Sequence, residues 1–110
     1  MQFTIDRSAF LALLTHAQNV VERRTTIPIL GNVRLDAAEG RVGLVATDLE
    51  LTLNETTGAE ILRAGTTTLP AHRLFDVVRK MPEGSNVQVA KDPERAEARI
   101  AAGRSFFDLP

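Results

Sequence analysis

One pattern of apolar residues occurs twice in this chain, and the repeat constrains the fold more strongly than any other feature. Four apolar positions recur 64 residues further along, first as Phe10, Leu11, Leu13 and Leu14 and then as Leu74, Phe75, Val77 and Val78. A second stretch, NVRL at residues 32–35, recurs as NVQV at residues 86–89. Because both matches keep the same order, the sequence predicts two copies of one structural unit.

Each copy contains one stretch with the spacing of an amphipathic helix. The first helix is predicted over about residues 7–21, and Asp6 is its natural N-cap because a carboxylate there can accept free backbone amides. The second helix is opened by Pro70 and closed by the turn at residues 82–84. The apolar stripes consist of Phe10, Leu13, Leu14, Ala17 and Val21 in the first helix and of Leu74, Val77, Val78 and Met81 in the second.

The remaining residues alternate between apolar and polar at period two, which is typical of half-buried strands. A turn at residues 38–40 joins two of them. The predicted strands cover residues 2–5, 33–37, 42–46, 49–53, 66–69, 87–89, 97–101 and 104–109. Each half, about residues 1–63 and 64–110, therefore reads strand, helix and three strands. We expect an α+β domain over residues 1–110 in which two adjacent helices pack on antiparallel sheet.

Charge and cysteine content exclude several classes of protein. Lysine and arginine number 13 against 14 aspartate and glutamate, so the net charge of −1 excludes a uniformly basic DNA-coating protein but permits a basic face. The absence of cysteine excludes disulfides, thiolate zinc sites and cysteine nucleophiles, and no cofactor is predicted. No apolar run is long enough for a membrane helix and the first residues do not form a signal peptide, so we expect a cytoplasmic protein.

No group of residues forms a catalytic constellation, and we expect no enzyme activity. His16 and His72 lie on the two helices without a nucleophile motif near either, and we interpret them as surface or cap residues. Asp48 and Glu50 share one face of a predicted strand and could bind a metal with further ligands. A solvated turn is the simpler interpretation of these two carboxylates.

Basic residues are more informative than the carboxylates. Arg23 and Arg24 follow the first helix. The face of the second helix away from its apolar stripe contains one acidic residue, Asp76, and four basic residues: His72, Arg73, Arg79 and Lys80. Two interpretations stay open: a solvated face whose cations complement the helix dipole, or a surface that contacts phosphates without reading bases. The absence of Tyr and Trp argues against base stacking.

The last predicted strand is unusual because it is apolar on both faces. Phe107 and Leu109 point to one side and Phe106 to the other. An unprotected apolar edge strand invites pairing with another chain. We therefore expect that a partner covers this edge and that the chain is a piece of a longer protein.

Several motifs in order closely resemble the first domain of the bacterial sliding clamps, the beta subunits of DNA polymerase III. They are MQFTIDR at residues 1–7, IPILGN at 27–32, ATDLE at 46–50, TTLPA at 67–71, MPEG at 81–84 and GRS at 103–105. The resemblance spans nearly all 110 residues, and the family chain is about three times longer. It implies the DNA-clamp fold, two strand-helix-three-strand repeats per domain, with helices lining the hole of a ring.

The resemblance also implies a function and roles for named residues. Two subunits of three domains each close a ring that encircles duplex DNA and tethers the replicative polymerase, without catalysis. Arg23 and Arg24 in the connection, with His72 and the basic residues Arg73, Arg79 and Lys80 of the second helix, would lie at the DNA. The last strand, with Arg104, Phe107 and Leu109, would form the head-to-tail interface with a second copy. Polymerase and clamp loader would bind elsewhere in the longer chain.

Two other hypotheses remain beside the clamp. In one, the chain is an α+β interaction module that binds a partner by strand addition at its last strand, without DNA. In the other, it is a small enzyme that uses Asp48, Glu50 or a histidine.

Overall fold

The computed structural model describes residues 1–21, 31–47 and 51–110. These residues form two helices and nine strands in the order strand, helix, five strands, helix, three strands. The elements are β1 (Gln2–Asp6), α1 (Arg7–Val20), β2 (Asn32–Ala38), β3 (Arg41–Thr47), β4 (Thr52–Gly58), β5 (Glu60–Arg63), β6 (Gly65–Pro70), α2 (Ala71–Arg79), β7 (Asn86–Lys91), β8 (Ala98–Ala102) and β9 (Ser105–Leu109).

The strands form two antiparallel sheets, and each sheet contains strands from both halves of the sequence. The five-stranded sheet has the order β5-β1-β7-β8-β9, and the four-stranded sheet has the order β4-β3-β2-β6. Thus β1 pairs with β7 of the second half, with Thr4 opposite Gln88, and β6 pairs with β2 of the first half, with Thr67 opposite Leu35. Strands of the two halves are therefore interleaved in both sheets, and the α+β class with antiparallel sheet is confirmed.

Local chemistry explains where both helices begin and end. The Asp6 carboxylate accepts a hydrogen bond of 3.1 Å from the Ala9 amide, which confirms the predicted N-cap of α1. At the other end, the Val21 amide still donates to the Ala17 carbonyl, but the backbone of Val21 is extended, and the helix therefore ends there. Helix α2 starts directly after Pro70, as predicted, because proline has no amide to leave unsatisfied and its ring presets the backbone.

One core lies between the helices and the inner faces of both sheets. The repeated apolar residues occupy equivalent places in it: Phe10, Leu13 and Leu14 are buried, as are Leu74, Val77 and Val78. Phe10 packs edge-on against Phe3, with ring centroids 6.0 Å apart and an interplanar angle of 82°. Leu11 and Phe75, the remaining pair of the repeat, are both partly buried against the core.

The strand assignments need two corrections. The first half carries an additional strand, β5, which pairs with β1 and was not predicted, so the halves are not identical in element order. The strand expected over residues 49–53 is instead β4, which begins at Thr52 and runs to Gly58. Leu51 precedes it and is 64% exposed, while Leu49 lies outside the described residues. The predicted strand therefore overlaps β4 at Thr52 and Leu53, and β4 extends further, to Gly58.

Neither of the two helices in the described part of the chain is long and apolar enough to cross a membrane.

Candidate nucleic-acid interface

The two helices lie side by side and antiparallel, and a side chain ties them together at each end. At one end, Arg7 of α1 reaches the C-terminal carbonyls of α2, with Nε 3.3 Å from the Val78 oxygen and Nη2 2.8 Å from the Arg79 oxygen. At the other end, His72 of α2 reaches α1, with Nε2 3.1 Å from the Val21 oxygen. The structure therefore brings the two helices together as the repeat predicted.

Charge is distributed unevenly between the helices and the sheets. Helix α1 contains no acidic residue, and Asp76 is the one acid in α2. Arg73 and Arg79 of α2 and Lys80 at its C-cap are exposed. Within the described residues, the other carboxylates belong to strands and turns. The helical layer is thus a neutral to basic surface on a chain that is slightly acidic as a whole.

The Arg79 side chain is held along the surface of its own helix. Its guanidinium lies 5.9 Å from the ring centroid of Phe75, and Nη2 lies 3.7 Å from Oδ1 of Asp76 one turn earlier. The side chain remains 58% exposed. Arg73 and Lys80 have no ion-pair partner among the described residues. All three cations can therefore meet a solvent-borne anion.

Arg7 is a residue of this surface that the sequence pattern did not single out. Its guanidinium lies at the carbonyl end of α2, where the negative pole of the helix dipole favours a cation. Its position in the sequence is a usable signal, because the first residue of one helix lies beside the last turn of an antiparallel neighbouring helix. It could be used only once the helix pairing was known.

The expectation that His72 faces DNA needs correction. Nε2 donates to the Val21 carbonyl, and Nδ1 is buried without a partner within the described residues. A carbonyl only accepts hydrogen bonds, so Nε2 must carry a proton. Both polar atoms of the ring are thus turned into the domain, and we leave His72 out of the DNA-facing set.

Four of the predicted residues lie outside the part of the chain that the structure describes. Arg23 and Arg24, which the sequence assigned to the DNA surface, lie outside the described residues. The same holds for Asp48 and Glu50, the carboxylates considered for a metal. Among the described residues, no three His, Cys, Asp or Glu side chains are grouped so that they could hold a metal ion.

The last strand, β9, is an edge strand of the five-stranded sheet. Arg104 precedes it in a turn and is exposed, as are Phe106 and Phe107, at 55% and 39%. Leu109 differs from the expectation of an exposed residue, because only 7% of it is accessible and it belongs to the core. It pairs with Ala98, which is buried on the same inner face.

On the outer face of this sheet, Arg99 and Asp108 form a two-pronged ion pair across β8 and β9. Arg99 Nε and Nη2 lie 2.9 and 3.2 Å from the two carboxylate oxygens, and the guanidinium stacks 4.1 Å from the centroid of Phe106. The hydrogen bond from Arg99 lowers the pKa of Asp108 and raises that of Arg99 itself. The pair borders a groove of about 210 Å³ lined by Arg63, Ala90, Asp92, Arg95, Glu97, Arg99 and Asp108.

Comparison with known proteins gives one consistent result. The family model of the DNA polymerase III beta subunit, N-terminal domain, matches residues 1–110. The chain is 44% identical to the beta sliding clamp of Caulobacter vibrioides (strain NA1000 / CB15N), covering 100% of this chain and 30% of that protein. It is 37% identical to the beta sliding clamp of Escherichia coli (strain K12), covering 99% of this chain and 30% of that protein.

Solved structures agree with the sequence relatives. The DNA polymerase sliding clamp from Caulobacter crescentus superposes with a TM-score of 0.96 at 44% identity, over 100% of this chain and 30% of that one. The DNA polymerase III subunit beta from Pseudomonas aeruginosa superposes with a TM-score of 0.90 at 34% identity, over 99% and 29%. The chain thus spans about 30% of the length of the relatives it matches.

Proposed function

The chain belongs to the family of the DNA polymerase III beta subunit, as its N-terminal domain, and from this membership we propose that it serves in a sliding clamp. Residues 1–110 form the first of three domains of a subunit, and two subunits close a ring around duplex DNA. The ring is a processivity factor for DNA replication: it tethers the replicative polymerase in the cytoplasm and catalyses no reaction. Polymerase and clamp loader bind to regions outside these residues.

The observation that carries the proposal is the basic surface of the helix pair. Arg73, Arg79 and Lys80 are exposed on a layer whose one acid is Asp76. Such cations contact phosphates without reading sequence, which suits a protein that must pass over every base pair. Arg23 and Arg24 belong to the same proposed DNA-facing set by the family resemblance alone.

The strength of these contacts fits a sliding ring better than a tight binder. Three phosphate contacts correspond to a salt slope of about −2.7, and non-specific binding has a Kd of about 10⁻⁴–10⁻⁶ M at physiological salt. Contacts this weak do not by themselves retain a protein on DNA during replication. A closed ring does not need them to, because it leaves DNA only by opening or by reaching an end.

We also propose that β9 joins this domain to a second copy in head-to-tail fashion. An edge strand that pairs on one side only among the described strands, and that carries two exposed phenylalanines, is suited to pairing with another sheet. Arg104 and Phe107 would supply side chains to that interface. Leu109, whose side chain belongs to its own core, would contribute mainly its backbone.

The proposal is tested by loading the complete subunit onto nicked circular DNA with its cognate clamp loader and ATP. High salt is then applied, and the circle is cut with a restriction enzyme. Retention at high salt followed by release on cutting would establish a topological link. Removal by salt alone, or retention unaffected by cutting, would contradict the ring and favour a module that binds a partner strand through β9.

A further inference from the structure

We infer that Arg7 is a positioning residue for the DNA-facing cations Arg79 and Lys80, an inference that rests on the function proposed above. Arg7 belongs to α1, whereas both cations lie at the end of α2. Three hydrogen bonds connect Arg7 to that end of α2 and to the turn that follows it. Its role is to fix the place from which Arg79 and Lys80 reach a phosphate.

The three hydrogen bonds of Arg7 hold the backbone at the end of α2 and again after the turn that follows it. The guanidinium donates to the carbonyls of Val78 and Arg79, at 3.3 and 2.8 Å. The Arg7 amide donates to the carbonyl of Ser85, at 3.0 Å, beyond the turn. The backbone of residues 78–85 is therefore anchored to the first residue of α1 at both of its ends.

This turn needs an external anchor because α2 is short. A helix of nine residues is well below the 12–15 at which isolated helices become marginally stable in water, and helix ends fray first. A helix has no backbone amide of its own for its last carbonyls, so groups beyond it must supply the donors, as the Met81 amide does for the Val78 carbonyl at 3.1 Å. The Lys80 amide bonds to the Val77 and Val78 carbonyls, whereas the Arg79 carbonyl receives its hydrogen bond from Arg7.

The helix dipole of α2 allows the Arg7 guanidinium to lie near the other two cations, Arg79 and Lys80. The carbonyl end of a helix carries about half a negative charge, which offsets the repulsion that a guanidinium would otherwise meet there. Two of the guanidinium nitrogens of Arg7 face carbonyl oxygens of the protein. The geometry thus favours indirect action through the α2 backbone over a direct phosphate contact by Arg7.

The test is a mutant cycle in the complete clamp subunit. Arg7→Gln, the pair Arg79→Ala with Lys80→Ala, and the triple variant are compared with wild type by the salt slope of binding to a short linear duplex at low ionic strength. Arg41→Gln, which removes one exposed charge at the start of β3, is the matched control. Retention on closed circular DNA is measured in parallel, since it reports the ring itself.

Arg7→Gln is expected to reduce the salt slope by roughly 0.9 to 1.8, the equivalent of one or two phosphate contacts. In the Arg79 and Lys80 background it should change nothing further, while Arg41→Gln keeps the wild-type salt slope and the wild-type retention on circular DNA. Loss of another ~0.9 in the triple variant would mean direct phosphate contact by Arg7 and would overturn the inference. So would a wild-type slope in Arg7→Gln, or a wild-type clamp with no salt-dependent binding to linear duplex.

Arg7→Lys keeps the experiment decisive if Arg7→Gln does not fold. Lysine retains the positive charge but cannot bridge both carbonyls as the planar guanidinium does. Positioning predicts a reduced salt slope for Arg7→Lys, whereas a direct phosphate contact predicts the wild-type slope. Failure of wild type to be retained on circular DNA would instead contradict the proposed function.

Discussion

The imidazole Nε2 of His72, in the first turn of α2, lies 3.1 Å from the carbonyl oxygen of Val21, at the end of α1. This contact mirrors the one that Arg7 makes at the opposite end of the helix pair, where α1 begins and α2 ends. Each helix therefore uses its N-terminal turn to supply a donor for the carbonyl end of its neighbour. The two contacts together resist sliding of one helix along the other.

Replacing His72 by alanine should lower the free energy of unfolding by about 1–2 kcal/mol, because it removes the donor from a carbonyl at a helix end. Glutamine places an amide nitrogen close to the position of Nε2 and has no counterpart of Nδ1, which is buried without a partner among the described residues. His72→Gln should therefore cost less than half as much as His72→Ala. Urea unfolding followed by circular dichroism measures both, and equal losses would contradict the hydrogen bond as the cause.

The sequence predicted what depends on local pattern. Asp6 as N-cap and Pro70 before α2 follow from backbone chemistry within a few residues, and both are confirmed. So is the turn between β2 and β3, where Glu39 and Gly40 adopt φ angles of 53° and 74° that suit a tight hairpin. The apolar stripes were read correctly because a helix face is fixed by spacing alone.

What depends on distant neighbours could not be predicted. The alternation of apolar and polar residues shows which face of a sheet each side chain occupies, but it does not show which strands are neighbours. The exchange of β1 and β6 between the sheets therefore could not be predicted from it. The same limit explains Arg99 and Asp108, nine residues apart and brought together only by the register of β8 and β9. For His72, its position away from the apolar stripe of the second helix suggested a surface residue, whereas helix packing brings its Nε2 to the Val21 carbonyl.

Gly65 marks a close approach of the two sheets. A Cβ at this position would lie 3.0 Å from the Cβ and 3.3 Å from the Cα of Met1. Met1 cannot retreat easily, because its amino group and its carbonyl each form a hydrogen bond with the backbone of Lys91, at 2.9 and 2.8 Å. Gly65→Ala should therefore destabilise the domain by roughly 1–3 kcal/mol, measured as a lower urea midpoint.

Gly58 provides the matched control, since a Cβ there meets no described atom within 4 Å and its φ is not positive. Gly58→Ala should be neutral or should stabilise by about 0.4–1 kcal/mol, because alanine restricts the unfolded chain. Equal destabilisation by both substitutions would show that loss of glycine as such, and not the contact with Met1, causes the effect.

The ion pair of Asp108 with Arg99 should make a small contribution to stability that depends on pH. The hydrogen bond from Arg99 holds the pKa of the folded carboxyl below its ordinary value of 3.8. A folded pKa below the unfolded one means that the contribution is complete above the unfolded value and is lost as the pH falls through the folded value. In Arg99→Gln, the carbon NMR titration of the Asp108 carboxyl should move up towards 3.8. Arg34→Gln, which breaks the pair with Asp36, should leave that titration unchanged.

Asp76 should lower the affinity of the helix pair for DNA. It is the one acid of α2, and its Oδ1 lies 3.7 Å from Arg79 Nη2, so it competes with phosphate for that guanidinium. Exposed pairs of this kind are worth about 0.2–1 kcal/mol, so Asp76→Asn should tighten binding of the complete subunit to a short duplex at low salt by roughly 1.5- to 5-fold. Asp36→Asn removes the same charge from a pair in β2 and should have a smaller effect. Equal tightening by both variants would indicate a general effect of net charge and would contradict a specific competition at Arg79.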